Sequence, residues 1–425
     1  MTDQSGLMAA VDDSPKGGGL RALLGENLRQ YGIMLALVLI VIFFAVWTDG
    51  RILMPNNLWT LVQQNAYVLI LALGMLMVII AGHIDLSVGS VVAFIGGVVG
   101  WLMFTYPFWH SHWYLAVGVG LGLGLIVGVW QGFWVAFVRI PAFVVTLAGM
   151  LLFRGLAQIV ASRTMAGFEH GFNQIAGGSL PNFLGFAANP LNFLFKAGSP
   201  FGQDFDVVTL VLGLAGIAAI VITTLRSRQS QLQHNLTVES RTVMVIRLGV
   251  IGLAIFLITA VLSMNLIGGT PIVLVIVGAL IFIYSFVTSR TTFGRHVYAV
   301  GGNRNAALLS GVKTARVDFL LFVNMGLLAA VAAIVTTSRA GAAVAAAGQN
   351  YELDAIASCF IGGTAVSGGI GKVGGAMVGA LIMGVLNMGL SIRGIDANTQ
   401  MAIKGLVLLL AVAFDLVSKR RSGVS

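Results

Sequence analysis

Long apolar runs separated by short polar segments make up most of the chain. Each run is about 18–25 residues long and lacks the alternation of a strand, so the pattern predicts helices that cross a bilayer. A spanning segment must also satisfy its own backbone hydrogen bonds, as a helix does. We therefore expect an all-α, polytopic transmembrane helix bundle with about 10–12 spans. The predicted spans are 31–47, 61–80, a run ending near 104, 115–138, 143–159, 207–225, 245–264, 272–287, 319–337, 356–367, 373–390 and 401–416.

The basic residues of the polar connections lie mostly on one side of this predicted bundle. If the N terminus is cytoplasmic and the spans alternate in direction, the inside connections contain most of them, including the group from Arg226 to Arg241. Because Lys and Arg are enriched in cytoplasmic loops, both termini are expected to be cytoplasmic. The predicted organisation is a tail at 1–30, one transmembrane domain at 31–417 and a tail at 418–425, with a long excursion on the outer side at 161–206, a cytoplasmic loop at 226–244 and a polar segment at 289–313.

Composition supports a membrane location and excludes several classes of function. Of the 425 residues, 58% are hydrophobic and 9% are charged, whereas a soluble domain has about 25% charged residues. The net charge of +9 is explained by basic cytoplasmic loops, so we expect no nucleic-acid partner. The only cysteine, Cys359, cannot form a disulfide within the chain, and the six histidines are scattered, so we expect no metal site.

Catalytic motifs are missing from the sequence. The segment at Gly371-Lys372 is not a phosphate-binding loop, because Val366 and Val373 stand where that loop needs a glycine and a hydroxyl. No HExxH motif occurs, and no GxSxG motif stands between a strand and a helix. We therefore expect no catalytic residues and no cofactor bound by this chain, which argues against an enzyme.

A polar, basic segment from Ser289 to Ser310 interrupts the apolar runs. We interpret its first part as a loop with a glycine hinge at Gly301-Gly302. Asn303 is a good N-cap for a short helix that continues to Leu309 and stops at Gly311. Such a helix offers apolar surface to the groove of a soluble partner. A solvated loop without a partner fits these residues equally well.

Polar side chains in or beside the predicted spans are candidates for a substrate pathway. Asp85 either caps the helix that follows it, which we favour, or acts at membrane depth. Buried amides either bond neighbouring helices or bind the hydroxyls of a solute. Glu352 and Asp354 are two positions apart and point to different faces of a helix, which favours capping over paired acid–base chemistry, although a pathway role stays open. The pathway candidates are Gln63, Asn65, Asp85, Ser87 and Asn324.

Three stretches resemble the permease subunits of bacterial ABC importers for monosaccharides, of the ribose, xylose and galactose type. They are GHIDLSVGS at 82–90, FGRHVYAVGGNRNAALLSGV at 293–312 and YELDAIASCFIGGTAVSGGIGKVGGAMVGALIMGVLNMGL at 351–390. The resemblance implies a fold similar to that of the vitamin B12-type and branched-chain permeases, working as a homodimer among the lipids of the bacterial inner membrane. It also implies a cytosolic ATPase that binds ATP and Mg²⁺, and a periplasmic sugar-binding protein.

The resemblance also implies roles within the chain. Residues 293–312 are similar to the element that couples such permeases to their ATPase. The extra length around 207–266 resembles the xylose-type subgroup, which implies a pentose such as xylose, or an aldohexose, moved by alternating access. From the residues alone, a cation-coupled secondary transporter that uses Asp85 is the alternative. The residues carried over to the coupling role are Phe293, Gly294, Arg295, Gly301, Gly302, Asn303, Ala307 and Gly311.

Overall fold

The protein, seen in a computed structural model, is a bundle of α-helices, described over residues 28–183, 206–234, 241–263 and 269–421. Within these residues, eight helices are long and apolar enough to cross a membrane, and three shorter apolar helices accompany them. The expected polytopic helix bundle is confirmed. Parts of the predicted tails, excursion, loop and spans lie outside the described residues, at 1–27, 184–205, 235–240, 264–268 and 422–425.

The helices of the described residues are numbered in chain order. They are α1 (Leu28–Trp47), α2 (Pro55–Ile80), α3 (Val88–Thr105), α4 (Pro107–Ser111), α5 (Trp113–Ala136), α6 (Ala142–Val160), α7 (His170–Gly177), α8 (Val207–Gln233), α9 (Arg241–Ser263), α10 (Ile272–Arg290), α11 (Thr292–Gly302), α12 (Arg304–Leu309), α13 (Thr314–Ala340), α14 (Tyr351–Ile361), α15 (Val373–Ile392) and α16 (Ala397–Arg421). Two short strands, β1 (Met165–Ala166) and β2 (Ala342–Ala343), pair antiparallel with Met165 opposite Ala343.

Helix α2 is the centre of the bundle. Every residue from Ala66 to Ile80 is buried. Helices α10, α13, α14 and α15 all pack against it. A helix that is apolar on every side belongs in such a core. This burial explains the unbroken apolar run in the sequence.

A stripe of glycines brings α5 close to α13. The stripe consists of Gly120, Gly124, Gly128 and Gly132, at every fourth position of α5. A Cβ added to Gly124 would collide with the carbonyl of Gly326, and one added to Gly128 would collide with the carbonyl of Phe322. Small residues at this spacing let membrane helices approach closely. The close α5–α13 contact therefore depends on the absence of side chains at these glycine positions.

The predicted short span at 356–367 is misplaced, because α14 begins and ends earlier. The helix follows Asn350, whose backbone is left-handed with φ of 64°, and it ends at Ile361, two residues before Gly363 with its left-handed φ of 86°. The N–H of Thr364 then bonds the carbonyl of Cys359 at 3.0 Å, which closes the helix end. The apolar residues beyond this glycine stop belong to a turn.

Where the structure describes it, the cytoplasmic loop predicted at 226–244 is mostly helical. Helix α8 continues to Gln233 and α9 begins at Arg241. The Arg, Gln and Leu residues beyond the apolar run are good helix formers and extend α8 past it. Helices α8 and α9 pack mainly on each other, with Gly213 against Thr259. Helices α8 and α9 thus form a pair in which most described side chains of α8 are exposed or half-buried.

Candidate functional site

Helices α11 and α12 lie at one end of the bundle, between α10 and α13. Helix α12 begins after Asn303, whose Oδ1 accepts the N–H of Ala306 at 2.9 Å. The chain turns after the helix at Gly311, with φ of 85°. The predicted capped helix from Asn303 to Leu309 is therefore confirmed.

The segment before Asn303 is a helix and not the predicted loop with a glycine hinge. Helix α11 starts after Thr291, whose Oγ1 accepts the N–H of Gly294 at 3.1 Å. Gly301 and Gly302 are its last residues, and neither has a left-handed backbone. The buried face of α11 consists of Gly294, Val297 and Val300. This helical spacing stabilises α11 against the bundle although the segment is polar overall.

Gly301 also lets α11 pack directly against the rest of the bundle. A Cβ at Gly301 would overlap the carbonyl oxygen of Ile80, the last residue of α2. The N–H of Gly369 already donates to that carbonyl at 2.8 Å, and the hydroxyl of Tyr298 donates to the carbonyl of Gly371 at 2.7 Å. Helix α11 therefore contacts both the end of α2 and the turn that precedes α15.

The residues carried over to the coupling role divide into an inward and an outward group. Buried or half-buried are Phe293, Gly294, Gly301 and Ala307. Exposed are Arg295, Gly302, Asn303 and Gly311. Beside the exposed group, α12 presents Leu308 and Leu309, and Leu309 is 89% exposed. Exposed apolar side chains on a short amphipathic helix suit a groove on a protein partner. That this partner is an ATPase stays a prediction.

A cavity of about 640 Å³ lies beside α12. Its walls include Gly82, His83 and Ile84 from the α2–α3 segment, Arg139 to Phe143 from the α5–α6 turn, and parts of α12 and α13. The fold thereby brings together two of the stretches that carry the resemblance, 82–90 and 293–312.

Asp85 is buried in the segment between α2 and α3. Its Oδ1 accepts the N–H of Ser87 at 2.8 Å and the hydroxyl of Ser87 at 2.6 Å. Gln131 of α5 donates to that hydroxyl oxygen at 2.6 Å. Ser87 immediately precedes α3, so Asp85 bonds the residue before the helix and does not cap the first turn of α3 as the sequence led us to expect. A pathway role for Asp85 and Ser87 stays a prediction.

The predicted amides lie between helices. Asn65 of α2 donates to the carbonyl of Leu61 at 2.9 Å and accepts from Asn387 of α15 at 3.3 Å. Asn324 of α13 accepts a hydrogen bond from Tyr284 of α10. Interhelical hydrogen bonds of this kind hold membrane bundles together. Gln63 is buried as well, and contact of any of these amides with a substrate stays a prediction.

A buried ion pair that the sequence reasoning missed joins α2, α14 and α16. Asp354 lies within α14, not before it, and is buried. The hydroxyl of Tyr67 donates to Asp354 Oδ2 at 2.6 Å, and Lys404 Nζ lies 3.1 Å from Oδ1. The ring of Tyr67 also stacks on Tyr351 with 3.5 Å between the ring centroids. A lysine within a predicted apolar span is the signal that could have revealed the pair.

Arg154 of α6 is a second intramembrane cation that was overlooked. Its guanidinium donates to the carbonyls of Ala345, Ala347 and Gly348 at 2.8–3.2 Å. These carbonyls belong to the irregular segment between β2 and α14. Irregular backbone is tolerated inside a membrane protein when other groups satisfy it. Arg154 therefore fixes the segment from which α14 starts.

Broken helices and buried polar groups inside an apolar bundle are typical of membrane transport proteins. The family described as "Branched-chain amino acid transport system / permease component" matches residues 54–412. The chain belongs to this permease family.

Sugar permeases are among its relatives. The chain is 37% identical to the xylose transport system permease protein XylH of Escherichia coli strain K12 over 413 residues, which are 96% of this chain and 97% of that protein. It is 34% identical to the protein of the same name from Haemophilus influenzae over 405 residues, covering 94% and 99% of the two chains. The ribose import permease protein RbsC of Bacillus subtilis is 30% identical over 388 residues, covering 91% and 93%. No solved structure matches the chain. The resemblance to monosaccharide permeases is confirmed.

Proposed function

We propose that this chain is the membrane permease of an ATP-driven importer that moves a monosaccharide across the bacterial inner membrane. The observation that carries the proposal is the similarity to xylose transport permeases over nearly the whole length of both chains. A pentose such as xylose is the first substrate proposed, and an aldohexose the second. The low share of charged residues, 9%, suits a neutral, hydroxylated solute.

Three protein partners belong to the proposal. A second copy of the chain completes a homodimer, a cytosolic ATPase binds ATP and Mg²⁺, and a periplasmic protein delivers the sugar. Both termini of the permease face the cytoplasm in this arrangement. The sequence supports a separate ATPase, because Val366 and Val373 replace the residues that a phosphate-binding loop needs.

The α11–α12 surface is the proposed seat of that ATPase. Leu308 and Leu309 bind in a groove on the ATPase. When the groove moves, α11 transmits the displacement to α2 and to the turn before α15. The contact of Gly301 with Ile80 supports this route, because the two backbones touch without an intervening side chain. ATP binding then closes the ATPase dimer, draws the α12 helices of the two permease copies together and reorients the bundle, which is alternating access.

The cation-coupled alternative is not favoured. Both close contacts of the Asp85 carboxylate are with Ser87, and the sugar permeases reported above are relatives over more than nine-tenths of the chain.

Xylose uptake in cells without their own xylose importers tests the proposal. Expression of the chain together with its cognate ATPase and sugar-binding protein is expected to restore uptake of labelled xylose, and omission of the ATPase to abolish it. A panel of unlabelled pentoses and aldohexoses then identifies the preferred sugar by competition. Uptake by the chain alone, driven by a proton gradient and lost in Asp85→Asn, would overturn the proposal in favour of the alternative.

A further inference from the structure

A buried carboxylate joins α12 to two other parts of the bundle. Asp318, in the second turn of α13, is 1% exposed. The guanidinium of Arg304 donates to both of its oxygens. His83 Nε2 lies 3.1 Å from Oδ1 of the same carboxylate. Because Arg304 is the first residue of α12 and His83 lies between α2 and α3, one side chain ties three elements together.

The Asp318 carboxylate holds Arg304 and His83 firmly because it is buried. An arginine exposed to water gains little from a surface ion pair, and the Arg304 side chain is itself 47% exposed. An unpaired buried carboxylate is costly, however, so Asp318 retains both partners. A two-pronged arginine–carboxylate pair also resists sliding, since both hydrogen bonds must break together. The position of α12 is thus fixed relative to His83.

The contacts continue from His83 into the interior. Two residues further on, Asp85 binds Ser87, and Gln131 of α5 donates to the Ser87 hydroxyl. Helix α5 packs along α13 through its glycine stripe. The chain of contacts therefore runs from α12 through Asp318 and His83 to α5, and returns along α13.

We propose that Asp318 is a positioning residue that transmits movement of α12, through Arg304 and His83, to the segment between α2 and α3. The inference rests on the proposed function, because it needs an ATPase that moves α12. A shift of α12 displaces Arg304, and the shared Asp318 carboxylate then displaces His83. The segment that holds Asp85 and Ser87 then moves against α5. Without the link the ATPase still docks and hydrolyses ATP, but less sugar crosses for each ATP consumed.

The ratio of sugar imported to ATP hydrolysed tests the link, in proteoliposomes that contain the full complex and binding protein. Asp318→Asn keeps the shape of the side chain but removes its charge. We expect ATPase binding and ATP hydrolysis to stay at the wild-type level and the ratio to fall about three- to tenfold, which lies within the range expected for residues that carry coupling. Asp318→Glu is expected to recover most of the ratio. Arg316→Gln, an exposed change two residues earlier, is the matched control and leaves the ratio unchanged.

The failure of the link and the failure of the proposed function give different results. A wild-type complex that imports no sugar with ATP overturns the proposed function and this inference with it. A wild-type complex that imports sugar, beside a folded Asp318→Asn complex with the wild-type ratio, overturns the link alone. If Asp318→Asn does not fold, His83→Ala replaces it, because His83 lies outside the helices. A lowered ratio in His83→Ala then supports the link, and an unchanged ratio overturns it.

Discussion

Gly301→Ala is expected to lower ATP-coupled sugar uptake strongly. The added methyl group overlaps the carbonyl oxygen of Ile80, which is backbone and is held by the N–H of Gly369 at 2.8 Å. Helix α11 must then lift from the end of α2. Overpacking of this kind costs about 1–3 kcal/mol. Since 1.4 kcal/mol is a tenfold change in a population, we expect uptake in cells that carry the complete importer to fall about tenfold or more.

The neighbouring glycine provides a matched control for the fold. A Cβ at Gly302 meets nothing within 4 Å, so Gly302→Ala is expected to keep the wild-type melting temperature in detergent. Gly301→Ala is expected to lower it. Wild-type uptake together with a wild-type melting temperature in Gly301→Ala would show that α11 does not depend on its contact with α2.

Asp354→Asn is expected to destabilise the permease more than any exposed charge change. The substitution keeps an acceptor for Tyr67 but leaves the ammonium of Lys404 without its carboxylate, at a site where the lysine side chain is 16% exposed. Breaking a buried pair costs about 3–5 kcal/mol, and the partial exposure of Lys404 places the expected loss near the lower end, about 3 kcal/mol. Denaturant unfolding of the purified permease in detergent measures it.

An exposed pair and a double variant complete this experiment. Asp49 pairs with Arg393 at 3.5 Å but is 72% exposed, so Asp49→Asn is expected to change the free energy of unfolding by less than about 1 kcal/mol. Asp354→Asn combined with Lys404→Gln removes both charges and is expected to recover at least half of the loss. Equal effects of Asp354→Asn and Asp49→Asn would refute the role assigned to the buried pair.

Features set by neighbouring residues could be predicted from the sequence. Asn303 and Gly311 bound α12 as expected, because a cap and a stop act within a few residues. Helix α11 was missed because one position of its inward face is Gly294, which carries no apolar side chain to mark the periodicity. The end of α14 was missed because Gly363 stands inside an apolar run, where composition conceals a backbone stop.

Contacts between distant parts of the chain could not be predicted in the same way. The pairs formed by Asp318 with His83 and by Asp354 with Lys404 depend on which helices are neighbours, and apolar periodicity carries no such information. Arg154 and Lys404 did carry a usable signal, because a cation inside an apolar span requires a partner. The identity of that partner came only from the fold.

Cross-linking from α12 tests most directly the claim that a separate ATPase drives this permease through the α11–α12 surface. The single native cysteine, Cys359, is buried, so a thiol-directed cross-linker reaches the chain mainly at an introduced position. Leu309→Cys, at a side chain that is 89% exposed, is expected to form an adduct with the ATPase in membranes that retain ATP-dependent sugar uptake. Phe108→Cys in α4, exposed in the connection between α3 and α5, is expected to form none. An active importer in which Leu309→Cys gives no ATPase adduct, or in which Phe108→Cys gives one, would contradict the account.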